Sequence, residues 1–152
     1  MKKMFSIIIL TGFCFLSSVP ALSSGRNQRM VELIKKLAPT EVSTDGTYGY
    51  TKENPIKVGG YKENVGPMSE RFYLYTLRGP NGERIRFQRI GSCCPFQTPH
   101  GFNGTGLLDM YEVTYEGLST PIKLFINMYD YEKPKAPVGF THIKRRQNNQ
   151  NG

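Results

Sequence analysis

Two cysteines stand side by side in Gly91-Ser92-Cys93-Cys94-Pro95-Phe96, and the only other one in the 152-residue chain is Cys14. Adjacent cysteines can close an eight-membered disulfide ring. Neighbouring Cα atoms lie about 3.8 Å apart, short of the usual disulfide span of about 4.4–6.8 Å, so such a ring is strained and easier to reduce. Pro95 biases Cys94 toward extended backbone. The pair reads as a rigid knuckle pressed on a ligand or as redox-responsive thiols. The plainer readings are a structural bridge or two buried thiols. No Cys-x-x-Cys spacing points to oxidoreductase chemistry. Zinc needs ligand pairs two to four residues apart, and Cys93, Cys94 and His100 do not supply them, so no metal is expected. The run Gly101-Phe102-Asn103-Gly104-Thr105-Gly106 lacks the Gly-Lys-Ser/Thr ending of a phosphate loop and precedes a strand, so its glycines read as turn residues.

Carboxylates are the other reactive groups. Asp109, Glu112 and Asp130 lie in or beside strand-like segments, where one could serve acid–base chemistry if a cleft raised its pKa. Cross-strand pairing with the many lysines and arginines is the plainer reading. The candidate binding surface comprises Arg89, Ser92, Phe96, His100, Asp109, Tyr129 and Asp130, with Cys93 and Cys94 as the disulfide or redox candidates. An enzyme requires Arg89, His100, Asp109 and Asp130 to converge in one cleft. A binding domain requires only a concave aromatic wall, and an interaction protein a flat apolar patch. No cofactor is implied.

These residues must be positioned by a small set of elements. Met30, Leu33, Ile34 and Leu37 recur at helical spacing and predict an amphipathic helix over 26–38, ended by Pro39. Residues 40–66 are turn-rich, with a short extended piece from Pro55 to Val58. Pro67 suits the first turn of a second helix, with Glu70 near its positive end. The inward face of that helix is either Met68, Phe72 and Tyr75 or Leu74 and Leu77. Alternation then predicts strands around Ile85–Arg89, Leu107–Tyr115 and Ile122–Tyr129, the last two joined as an antiparallel hairpin. Between the first two strands, Gly91–Gly106 reads as a long irregular connection in which Phe96 and Phe102 seek burial, and such connections are often functional. The expected fold class is α+β: an antiparallel sheet of three or more strands with one or two helices on one face.

The N-terminus carries Lys2 and Lys3, an apolar run from Phe5 to Leu16 and small residues after it, the pattern of a secretory signal over residues 1–23. Thr11, Gly12, Ser17 and Ser18 interrupt that run, so it is short for a membrane anchor, which needs about 20 apolar residues. A lipid on Cys14 is the alternative. Export places the domain, residues 24–143, in the periplasm or outside the cell, where Cys93 and Cys94 are expected to be bonded to each other. Loss of Lys2 and Lys3 takes the formal charge from +8 to +6. Three of the remaining positive charges sit in Lys144-Arg145-Arg146, which opens a polar tail over 144–152 expected to be disordered. That tail suits weak contact with an anionic surface, while nucleic acid is not an expected partner. An unidentified ligand or envelope component is.

Several strings carry a resemblance: Asn54-Pro55-Ile56-Lys57-Val58-Gly59-Gly60, Gly91-Ser92-Cys93-Cys94-Pro95-Phe96, Leu107-Leu108-Asp109-Met110-Tyr111-Glu112 and Asn127-Met128-Tyr129-Asp130-Tyr131. Over roughly residues 47–141 the chain resembles a group of short exported bacterial proteins. Some of that group carry an automated label, 2-dehydro-3-deoxyphosphooctonate aldolase. That activity belongs to a barrel of about 200 residues or more with repeated strand–helix units, and the chain has neither. The resemblance implies that loop and strands form one unit, and it assigns no catalytic residue.

Overall fold

A computed structural model describes residues 22–59 and 66–143. The expected signal lies outside the described residues except for its last two, Leu22 and Ser23, and the basic tail lies outside them entirely. In chain order the elements are α1 (Leu22–Leu37), β1 (Ile56–Lys57), α2 (Gly66–Thr76), β2 (Leu77–Arg78), β3 (Arg86–Phe102), β4 (Thr105–Thr114), β5 (Ile122–Asn127) and β6 (Thr141–His142). Four strands form one sheet in the order β1-β5-β4-β3, and β2 pairs with β6. The fold is α+β, but the main sheet is mixed. β3–β4 and β4–β5 are antiparallel, whereas β1 runs parallel to β5. The long stretch of chain between β1 and β5 supplies the crossover that a parallel pair needs.

Period-two alternation sorts the sheet into two faces. Asp109, Tyr111 and Val113 of β4, Leu124 and Ile126 of β5 and Ile56 of β1 are buried together. Against them pack Tyr73 and Leu74 of α2 and Leu37 at the end of α1. The Tyr73 hydroxyl is satisfied by the Lys135 carbonyl at 2.7 Å, which lets a fully buried tyrosine sit in an apolar core.

The first helix differs in part from its predicted face, and the second adopts one of its two. On α1, Leu37 is buried and Leu33 packs on the core, but Met30 and Ile34 remain exposed. On α2 the second predicted face is the inward one: Leu74 and, just past the helix, Leu77 are buried with Ser69, Glu70 and Tyr73, while Met68 and Tyr75 point outward. Glu70 lies past the first turn, not in it, because the helix already begins at Gly66; it is fully buried and the Tyr111 hydroxyl donates to it from β4 at 2.8 Å.

The largest departure is the predicted irregular connection, which is strand. β3 continues through Phe102 and turns at Asn103–Gly104 into β4. Asn103 (φ 50°) and Gly104 (φ 76°) are both left-handed, the geometry of a two-residue hairpin turn that Asn-Gly favours. Alternation fails along this stretch because the register shifts between Arg89 and Gly91, between Cys93 and Phe96, and again before Phe102. Each inserted residue flips the side chains that follow to the other face. Phe96 is half-buried, whereas Phe102 at the hairpin tip is 85% exposed, contrary to the expectation that both rings pack.

Candidate functional site

The register places one row of side chains across the sheet on the face opposite the helices. Lys57 of β1 is paired with Asn127 of β5. Leu108 of β4 lies one step beyond the Asp109–Ile126 pair, beside Asn127. Cys93 of β3 is paired with Leu108. Lys57, Asn127 and Leu108 of this row line a cleft of about 460 Å³. One wall is the β3 bulge Cys94-Pro95-Phe96, and the other is Lys52, Glu53 and Pro55 from the segment leading into β1. Asp130 closes one end.

Cys93 and Cys94 are joined by a disulfide, with Cα atoms 3.7 Å apart. Cys94 takes the left-handed conformation (φ 59°), not the extended one that a following proline favours. The left-handed residue forms the bulge: three steps of β3, Cys93 to Phe96, span two of β4, Leu108 to Gly106. Phe96 therefore lands on the cleft face, edge-on to Tyr129 at 6.0 Å between centroids. A thiol-alkylating reagent applied before reduction is expected to label neither Cys93 nor Cys94, and after reduction both, as read by intact mass.

Gly106 makes room for that aromatic pair. A Cβ there would lie 2.9 Å from both the Phe96 and Tyr129 rings and 3.0 Å from the Thr98 methyl. Gly106→Ala is expected to push the rings off β4 and to cost about 1–3 kcal/mol, measured by denaturant unfolding.

Asp130 is held from several sides. Its Oδ1 accepts from the Thr98 hydroxyl at 2.6 Å and faces His100 Nδ1 at 3.0 Å, while Oδ2 accepts from the Asn127 amide at 3.0 Å. Asn127 is almost fully buried, and its Oδ1 accepts the backbone N–H groups of Tyr129 (2.8 Å) and Asp130 (3.0 Å), fixing the turn after β5. Thr98 and His100 arrive on an excursion of β3, since Gln97 and Phe102 both register with Thr105. Burial pushes the Asp130 carboxyl up, but hydrogen bonds from Thr98, Asn127 and His100 outweigh it and hold the group below its usual range. Asp130 is thus a fixed carboxylate at neutral pH.

The remaining candidates lie on the other face. The bulge at Ile90 places Arg89 opposite Tyr111 and Ser92 opposite Asp109, so both turn to the helix side. Arg89 donates to Asp109 through Nε at 2.6 Å and Nη2 at 2.9 Å, and Nη2 also reaches Ser92. The Ser92 hydroxyl donates to Asp109 at 2.8 Å. Burial raises Asp109, but these bonds and the Arg89 charge hold it below its ordinary value. Behind it, burial and then the Asp109 charge push Glu70 up to about 8. Burial, with Glu70 beside it, also raises the Tyr111 phenol.

The predicted surface thus divides. Cys94, Phe96 and Asp130 line the cleft, with Tyr129 packed on Phe96 and His100 beside Asp130, while Arg89, Ser92 and Asp109 form a separate polar cluster. Its Asp109 carboxyl, at 2% exposure, and the fully buried Glu70 behind it are closed to solvent, which suits a structural network better than contact with a substrate. Sequence reasoning missed Glu70, Thr98 and Asn127. Asn127-Met128-Tyr129-Asp130 held a usable signal, because an asparagine ahead of a tight turn caps its backbone. Among the described residues no group of three or more histidine, cysteine or acidic side chains is placed to share a metal ion, and no helix is long and apolar enough to cross a membrane. Comparison with protein-family models, with curated proteins and with solved structures found no match to the chain.

Proposed function

We propose that the chain is an exported cell-envelope domain that holds a small ligand in the cleft beside the Cys93–Cys94 disulfide. The observation that carries the binding half is the meeting of an apolar wall, Cys94-Pro95-Phe96, with a carboxylate, Asp130, whose position three side chains fix. Ligand sites combine apolar surface with polar groups set in advance, and the cleft offers both, its lining being half apolar and half polar. The export half rests on the signal pattern of the first 23 residues, on the resemblance to short exported bacterial proteins and on a bonded cysteine pair, which suits an oxidising compartment. An enzyme acting on envelope sugars is less well supported, because Arg89 and Asp109 face away from His100 and Asp130.

A thermal-shift screen of small polar compounds, run on wild-type protein and Phe96→Ala, tests the binding half. Compounds that raise the wild-type Tm and lose that effect in the variant are expected. Compounds that stabilise both proteins equally, or a library without a stabilising compound, contradict it. For the export half, fractionation of cells expressing the full chain is expected to recover it, shortened at the N-terminus, outside the cytoplasm. Full-length protein confined to the cytoplasm overturns that half.

A further inference from the structure

The charge balance and acceptor count of the cleft carry the reading one step further, to the class of ligand. Two lysines and two carboxylates line the cleft: Lys52, Lys57, Glu53 and Asp130. Neither ammonium is unmatched, since Lys57 pairs with Glu132 at 3.2 Å and Lys52 lies 3.8 Å from Glu53. An anionic ligand would find no spare positive charge and would meet the Asp130 carboxylate at the end of the cleft. A zwitterion would have to separate ion pairs already made. Neutral hydroxyl groups can bridge between these charged ends, donating to carboxylates and accepting from ammoniums.

Asp130 retains capacity for such a group. A carboxylate offers about four acceptor positions. Thr98 and His100 occupy Oδ1 and Asn127 takes one position on Oδ2, which leaves room on Oδ2 for one further donor. Apolar surface lies on both walls: Phe96, Pro95 and the polarizable sulfur of Cys94 on one, and Pro55 on the other. A sugar ring presents both a flat face of C–H groups and a rim of neutral hydroxyls. A cleft of about 460 Å³ falls at the small end of the usual ~300–1,000 Å³ range, which suits one or two rings. Resting on the ligand-binding reading above, we infer that the cleft binds a neutral saccharide of one or two rings, with a ring face on Phe96 and the disulfide and a hydroxyl donated to Asp130.

The test is an amide-resolved NMR titration of the purified, disulfide-bonded chain. The neutral probes are glucose, galactose, N-acetylglucosamine and its β-1,4-linked dimer. The charged probes are glucuronate, glucosamine 6-phosphate and glycylglycine, and phenol serves as an apolar probe. At least one neutral sugar is expected to shift the amides of Phe96, Asn127 and Asp130 saturably, while the charged probes leave them in place. Asp130→Ala is expected to weaken that sugar at least tenfold. If that variant does not fold, Lys57→Met, in the partly exposed row that lines the cleft, is expected to weaken it severalfold. Charged probes binding where neutral sugars do not would overturn the saccharide inference. So would phenol moving those amides while every sugar fails, and in both cases the ligand-binding reading stands. If no probe moves them, both readings fall.

Discussion

Alanine at Gly59 is expected to cost about 3 kcal/mol or more, lowering the Tm by on the order of 10 °C for a domain of this size. The residue follows β1 and lies against the turn that carries Asp130. Its N–H donates to the Asp130 carbonyl at 2.7 Å, and the Val58 N–H donates to the Asn127 carbonyl at 2.9 Å. An added Cβ would overlap the Tyr129 carbonyl group and come within 2.7 Å of the Asp130 nitrogen. These are backbone atoms, so no rotamer change relieves the overlap, and either β1 or the turn must move. Thermal unfolding by circular dichroism measures the loss. A fall of less than about 2 °C would show that the turn yields easily, and Asp130 would then not be a fixed end of the cleft.

The second large effect is a dependence on pH through Glu70. Its carboxyl is raised from the ordinary 4.5 to about 8, by burial and then by the Asp109 charge. A raised acid binds its proton more tightly in the folded state. Its contribution is therefore complete below about 4.5, declines as pH rises and is lost once pH passes about 8. The shift corresponds to several kcal/mol, at about 1.4 kcal/mol per pH unit. Asp109 acts in the opposite sense: its lowered pKa gives stability that is present above the ordinary 3.8 and lost as pH falls through the folded value. Stability should therefore peak in mildly acidic solution. Glu70→Gln replaces the protonated carboxyl with a neutral isostere that still accepts from Tyr111. Near pH 5 the variant is expected to match the wild type within about 1 kcal/mol, and near pH 9 to exceed it by several. Denaturant unfolding across pH measures both. Equal alkaline losses in the two proteins would mean that Glu70 is ionised in the fold.

How far the sequence revealed this molecule can be judged from particular residues. β4 and β5 were legible because Asp109, Tyr111 and Val113 and then Leu124 and Ile126 keep an unbroken period of two. β3 was not legible beyond Arg89. Its bulges at Ile90 and Cys94 shift the inward face twice, and a periodic reading takes such shifts for loss of structure. The Asn103–Gly104 hairpin turn was the signal that contradicted a loose loop. Glu70 was placed only by its distance from the helix start, and the partner it is buried against, Tyr111, stands 41 positions away. The cleft was half-visible. Cys93, Cys94, Phe96, His100, Tyr129 and Asp130 stood out by type, but separating them from Arg89, Ser92 and Asp109 required the bulge at Ile90, which no single-residue preference encodes.

Organic-solvent mapping tests the cleft as a binding site most directly: crystals of the disulfide-bonded chain are soaked in isopropanol and the bound molecules located. Isopropanol should gather between Phe96 and Pro55, with its hydroxyl toward Asp130. A cleft holding only water, with the alcohol collected instead on the exposed Phe102 ring or elsewhere on the surface, would contradict the account.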